Sequence, residues 1–368
     1  MDFCERDVQK ESYSMLISRE ISNKLANMSF VCSLLVVFIH IGHCPTTVGT
    51  LGWRLWYVMR YVLCTVAVPW FFLASGLLLA LHADDSRWWK MALLKRGKTL
   101  VVPYWFWVIF MLIVYNFILI PTHNFLAIEE VSSPVWSPNR MLIMLGFSPF
   151  SPPANQPLWY VRALMILIII SPVLVGAARI KCRLLLPLLY FFYIAINPGH
   201  AGDGFWISEK WSHFWRFGFS IEGLFYFSTG IFIGMKAIRI PSRRISLVLG
   251  LGGIVIGIVR MLLQLQGIED FGYLIAISIP LVLVGAWSLI PTCSWPQVLI
   301  GNTFAIYVLH PMLPIIYDIL CQRFSSVLGG VVLGMFVEWF TVVLFAIFCA
   351  QGIRKISPRL AGLIFGGR

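Results

Sequence analysis

The chain has 368 residues, of which 59% are apolar and 12% charged, with a formal net charge of +12 and a mean hydropathy of +0.84. Soluble globular domains carry about twice that share of charge, and disordered chains lack such apolar and aromatic content, so both classes are excluded and an integral membrane protein is expected. The positive balance does not mark nucleic-acid binding, because Lys and Arg recur in short clusters between apolar runs and form no single patch.

The first 24 residues are mixed polar and charged, without the basic stretch, apolar run and small-residue cleavage site of a signal peptide. The first span is therefore expected to act as its own address. A helix needs about 20 mostly apolar residues to cross roughly 30 Å of hydrocarbon. That ruler predicts an all-α polytopic membrane protein with ten spans, at 25–43, 56–81, 99–120, 158–178, 183–198, 218–235, 245–265, 270–290, 299–320 and 327–350. The fifth is short.

Positively charged residues stay on the cytoplasmic side, which tests the count. Arg6, Lys10, Arg19 and Lys24 precede span one. Arg87, Lys90, Lys95, Arg96 and Lys98 follow span two, and Arg179, Lys181 and Arg183 follow span four. Lys236, Arg239, Arg243 and Arg244 follow span six, and Arg354, Lys355, Arg359 and Arg368 follow span ten. All fall on one side if both termini are cytoplasmic. The expected organisation is a cytoplasmic tail over 1–24, a ten-span domain over 25–350 and a basic cytoplasmic tail over 351–368. The long connections 121–157 and 199–217, rich in Pro, Ser, Trp and Gly, lie on the opposite side and suit ordered turns. Eight scattered cysteines without metal-like spacing are expected to be free thiols, and no metal site is expected.

Ionisable groups inside apolar spans are costly and usually face a protein interior or a watery cavity. Counted along their helices, His40, His43, Arg162, Glu222 and Arg260 reach a similar depth near the outer face. A shared polar cavity opening outward is the economical account. For Arg162, Arg260 and His43, snorkelling to the interface stands as an equal alternative. For Glu222 a structural ion pair with one of the arginines is the competing role. His40 lies one turn deeper, and an imidazole is the usual general base near neutral pH. His310 and Glu338 fall near mid-membrane, where a structural hydrogen-bonded pair is expected. The segment DDSRWWKMALLKRGKTLVVPYW, with its cations and Trp88 and Trp89, either holds a phosphate-bearing, nucleotide-like donor or anchors the cytoplasmic interface.

LLVVFIH (34–40), VPWFFLASGLLL (68–79), KRGKTLVVPYWFW (95–107), PLWYVRALMILIIISP (157–172), NTFAIYVLHPML (302–313) and GGR (366–368) together resemble, in order, the signatures of the bacterial acyltransferase-3 family. The resemblance runs from about residue 22 to the end. It implies a multi-pass enzyme of the bacterial cytoplasmic membrane that moves acyl groups, often acetyl, from acyl-coenzyme A onto hydroxyls of cell-surface or exported carbohydrates, with no permanently bound cofactor. On that resemblance His40 is the catalytic histidine. Arg96, Lys98 and Tyr104 serve the donor, and Trp159 and Arg162, with His43, Glu222 and Arg260, the acceptor side. Two positions depart from the family pattern: Ser29 stands where an arginine is usual, and Thr99 where a second basic residue is usual. The expected partners are acyl-coenzyme A, a carbohydrate acceptor and the bilayer. The same buried charges would also serve a transporter or exporter of a small anion or lipid-linked sugar.

Overall fold

The computed structural model describes residues 2–42, 47–83, 87–119, 137–196, 211, 213–268, 273–312 and 331–367. In chain order its helices are α1 (Asp2–Ile39), α2 (Leu51–Ala80), α3 (Trp88–Phe117), α4 (Pro138–Met144), α5 (Gln156–Arg179), α6 (Leu185–Ile196) and α7 (Phe214–Gly234). They continue with α8 (Arg243–Leu265), α9 (Tyr273–Leu289), α10 (Gln297–Ile300), α11 (Thr303–Leu309), α12 (Val331–Ile356) and α13 (Pro358–Ile364). No strand occurs among the described residues.

Seven of these helices are long and apolar enough to cross a membrane: α1 from Arg19, α2, α3, α5, α7, α8 and α12. α6 and α9 are apolar but shorter. The ninth predicted span is seen as α11 and the turn His310–Met312 that continues it, and its remainder lies outside the described residues. Large apolar side chains point outward along α8 (Val248, Leu251, Val255, Val259, Leu262) and α12 (Phe340, Leu344, Phe348), as lipid-facing surfaces require. The protein is a multi-pass membrane protein.

Several predicted boundaries move. α2 starts five residues earlier than predicted, and α7 begins inside what was read as an outer connection. The connection 121–157 contains α4, whose first turn is capped by the Ser137 side chain. The sequence 351–356 is the end of α12, not the start of a tail. α13 folds back against α3, where Trp107 Nε1 donates to the Ile364 carbonyl at 2.8 Å and Ile364 and Phe365 are buried. Residues 19–24 likewise belong to α1.

Small residues let the central helices approach closely, the usual route to tight packing where lipid offers no hydrophobic drive. On α2, Gly76 lies against the Phe227 backbone of α7, and on α7, Gly230 lies against the Leu73 backbone of α2. Gly250 of α8 faces Gly285 of α9 in the same way. α2 is not uniformly α-helical. It passes through a π-turn at Met59–Leu63 and a 3-10 turn at Cys64–Val66 before Pro69, whose missing N–H breaks the ladder there.

Two ends of the bundle are defined by contacts across the chain. At one end Asn23 and Asn27 donate to the carbonyls of Thr292 and Cys293, Arg179 donates to the Ala83 carbonyl at 2.6 Å, and Gly366 lies against Thr99. At the other end α1 terminates beside Arg60, and Phe217 meets Arg162. The basic stretches after α2 and α5 and near the C-terminus therefore share the end that holds the first half of α1.

Candidate active site

The apolar run Leu34–Ile39 stops because α1 stops. The His40 N–H bonds to the Val37 carbonyl at 3.0 Å, closing a final tight turn. Arg60 Nη1, from the π-turn of α2, donates to the Ile39 carbonyl at 2.5 Å. A cation on the last carbonyls of a helix satisfies an orphan acceptor and meets the negative end of its dipole. From the other side, α12 holds the same corner: Glu338 Oε1 accepts from the Gly42 N–H at 2.8 Å, and Trp339 Nε1 donates to the Leu34 carbonyl at 2.8 Å. His40 is thus fixed through its backbone, which leaves its ring for other work.

That ring borders a cavity of about 220 Å³ lined by Arg60, Tyr61, Gln156, Trp159, Arg216, Glu222 and Tyr307, among others. His40 and Glu222 come together as expected, and Trp159 joins them. Glu222 sits in the first turn of the α-helical stretch Ile221–Gly234 of α7 and accepts from the Tyr193 hydroxyl at 3.1 Å. The His310 ring lies 5.1 Å from the His40 ring, centre to centre. His310 is fully buried, its Nδ1 is 3.2 Å from the Ile306 carbonyl, and its Nε2 has no hydrogen-bond partner among the described residues. The expected His310–Glu338 pair does not form: Glu338 is turned to the Gly42 N–H, and His310 to His40.

Arg162 is not a lining residue of that cavity. Its guanidinium donates to four backbone carbonyls, Gly146 at 2.6 Å, Ser148 at 2.8 Å, Ser151 at 3.0 Å and Phe217 at 2.7 Å. It fastens the outer turn to the start of α7. Arg162→Lys is expected to keep the charge and lose this clamp, since an ammonium cannot span the same fork of acceptors. The check is a lower thermal midpoint in detergent together with faster proteolysis between residues 144 and 155. Arg260 is also spent, donating to the Tyr57 hydroxyl with its guanidinium over the rings of Tyr57 and Tyr61 at 5.8 and 5.9 Å. It supports the cavity wall from behind. His43 lies outside the described residues.

A second cavity, of about 510 Å³, opens at the other end of α1. Ser22 and Ser29 of α1, Lys95, Arg96 and Thr99 of α3, Gly301, and Gly366 and Gly367 line it. Arg96 is placed there as expected, and Ser29 and Thr99, the two departures from the family pattern, lie there too. Lys98 is exposed and outside the lining, and Lys95 takes its place. Tyr104 does not belong to this end. It is buried further along α3, against the turn at Gly146, beside Arg162. Tyr307 borders both cavities, and its hydroxyl donates to the Pro157 carbonyl.

Arg60, Gln156, Arg216 and Tyr307 were missed from the sequence. Arg60 and Arg216 sit in π-turns, Met59–Leu63 and Phe214–Gly218, and Thr99 in a third, Gly97–Val101. Such turns are frequent at functional sites because the extra residue re-aims a side chain. No group of three or more His, Cys, Asp or Glu placed to hold a metal ion occurs among the described residues, and Cys32, Cys64, Cys182, Cys293 and Cys349 are free thiols.

A family model described as an acyltransferase domain, Acyl_transf_3, matches residues 27–354, nearly the whole chain. No curated protein and no solved structure matches the chain.

Proposed function

We propose, because this chain belongs to the acyltransferase-3 family, that it takes an acyl group, most simply acetyl, from acyl-coenzyme A in the larger cavity and delivers it to a carbohydrate hydroxyl in the smaller one. The observation that carries the reading is the pair of cavities at opposite ends of α1, separated at Tyr307, with the His40 ring on the wall of one.

The larger cavity suits a phosphate-bearing donor because Lys95 and Arg96 stand at its rim. By the positive-inside rule its end faces the cytoplasm of a bacterial inner membrane, where acyl-coenzyme A is made. The smaller cavity offers Trp159 and Tyr61 as faces for a sugar ring, with Gln156 and Glu222 as hydrogen-bonding groups. In the reaction His40 takes the proton of the acceptor hydroxyl as its oxygen attacks the thioester carbon. The new C–O bond forms, the C–S bond breaks, and the departing thiolate receives the proton. The products are an ester and free coenzyme A. Arg60 keeps His40 at the junction by holding the Ile39 carbonyl.

The test is transfer of radiolabel from acetyl-coenzyme A to carbohydrate acceptors by the purified protein in lipid nanodiscs. Label on the acceptor, as an alkali-labile ester, is expected. Coenzyme A binding without transfer, or labelled solute crossing sealed vesicles, would replace this reading with transport. Lys95→Gln and Arg96→Gln are each expected to raise the KM for acetyl-coenzyme A by about tenfold, as loss of one charge-assisted contact does, with a smaller change in kcat.

A further inference from the structure

We infer that the acceptor in the smaller cavity carries an oxyanion, a carboxylate or a phosphate, near the hydroxyl that is acylated. The inference rests on the acyltransferase reading above and narrows its substrate class.

Among the described residues two guanidiniums, of Arg60 and Arg216, line this cavity against a single carboxylate, that of Glu222, whose charge acts on Arg216. Arg60 gives one donor to the Ile39 carbonyl and lies over the rings of Trp56 and Tyr61 at 5.5 and 5.9 Å. Arg216 lies over the Phe217 ring at 5.2 Å and is exposed to the cavity. Among the described residues no hydrogen bond or ion pair holds the Arg216 guanidinium. Glu222 is held by the Tyr193 hydroxyl, and Glu338, a second carboxylate among the described residues near His40, by the Gly42 N–H outside the cavity. Arg260 adds a third cation just behind Tyr61.

An excess of cations in a partly desolvated cavity inside a membrane protein is costly unless an anion accompanies it. Arg162 shows the other solution, with both terminal nitrogens of its guanidinium taken by backbone carbonyls. Arg216 has no such set. Its planar fork matches a carboxylate or phosphate in two-pronged fashion and has no comparable use for a neutral sugar. The anion would sit between Arg60 and Arg216, turning the sugar so that one hydroxyl faces His40.

The experiment measures acetyl transfer by the wild-type protein in nanodiscs to three acceptors in the glucose and galactose series: a methyl hexoside, the matching methyl hexuronide and the matching hexose 1-phosphate. At least one anionic acceptor is expected to exceed the neutral one in kcat/KM by about tenfold or more, the usual effect of a charge-assisted contact. Which of the two wins tells a sugar carboxylate from a phosphate. Arg216→Gln is expected to erase most of that advantage and Arg216→Lys to retain part of it. Equal kcat/KM for all three with wild-type protein overturns the inference and leaves the acyltransferase reading standing. So does an equal loss on all three in Arg216→Gln, which would assign Arg216 to charge developing in the transition state. Transfer to none of them overturns both. If Arg216→Gln fails to fold, the wild-type comparison alone decides.

Discussion

Exchange of His40 for alanine is expected to leave the protein in the membrane at wild-type level and to lower acyl transfer by about a hundredfold to ten-thousandfold, the range covered by a positioned general base. The first half of that expectation follows from how the corner is built. The Arg60 and Glu338 contacts fall on the backbone of Ile39 and Gly42, so they survive loss of the imidazole. The ring itself faces the His310 ring, across 5.1 Å. His40→Gln, which keeps a polar side chain and cannot take up a proton at neutral pH, should be as inactive as the alanine variant. Transfer within a few-fold of wild type in either variant, at equal protein level, would remove His40 from the chemistry.

The largest effect on folding is expected at Gly76 and Gly230. A Cβ at Gly76 would run into the Phe227 carbonyl of α7, and one at Gly230 into the Leu73 carbonyl of α2. Neither obstacle is a side chain that can swing away, so even alanine forces the two helices apart. Overpacking of a well-filled core costs about 1–3 kcal/mol, and a backbone obstacle lies at or above the top of that range. Gly230→Ala should lower the thermal midpoint in detergent clearly, and Gly230→Leu should abolish recovery of monodisperse protein. Gly176→Ala and Gly352→Ala provide the contrast, since a Cβ there meets nothing within 4 Å. Both should match or slightly exceed wild type, as helix propensity favours alanine. A wild-type midpoint for Gly230→Leu would mean that α2 and α7 do not pack in this way.

What the sequence discloses depends on the range of the interaction. Seven of the ten predicted spans are legible as long apolar helices because each one independently needs about 20 apolar residues, and the sharing of one end by the basic clusters follows from helix direction alone. His40 and Glu222 were legible as neighbours because depth along a helix is a local count, and Trp159, which lines the same cavity, was legible from the family resemblance. Tyr104 was misassigned because it follows Arg96 in one motif, yet eight residues of helix separate them by about 12 Å, enough to carry Tyr104 to the level of Arg162. Arg162 was read as a cavity residue because nothing local reveals that four carbonyls from 146–151 and 217 converge on it. Arg60 satisfied the very rule that selected the others, being ionisable within a predicted span. Arg216 carried its own signal, a cation beside the outer end of a span on the side poor in Lys and Arg. Tyr307, three residues before His310, shares its helix face. The glycine contacts between α2 and α7 were illegible, because they join helices about 150 residues apart.

The position of Tyr307 has one more consequence. A protein hollowed from both ends within a bilayer risks short-circuiting the gradient that the membrane stores, because water entering from two mouths would need only to meet. One phenol ring borders both chambers, and its hydroxyl is tied to the Pro157 carbonyl. In the proposed reaction it would act as insulation: the substrates would meet beside it while protons and ions are kept from running through.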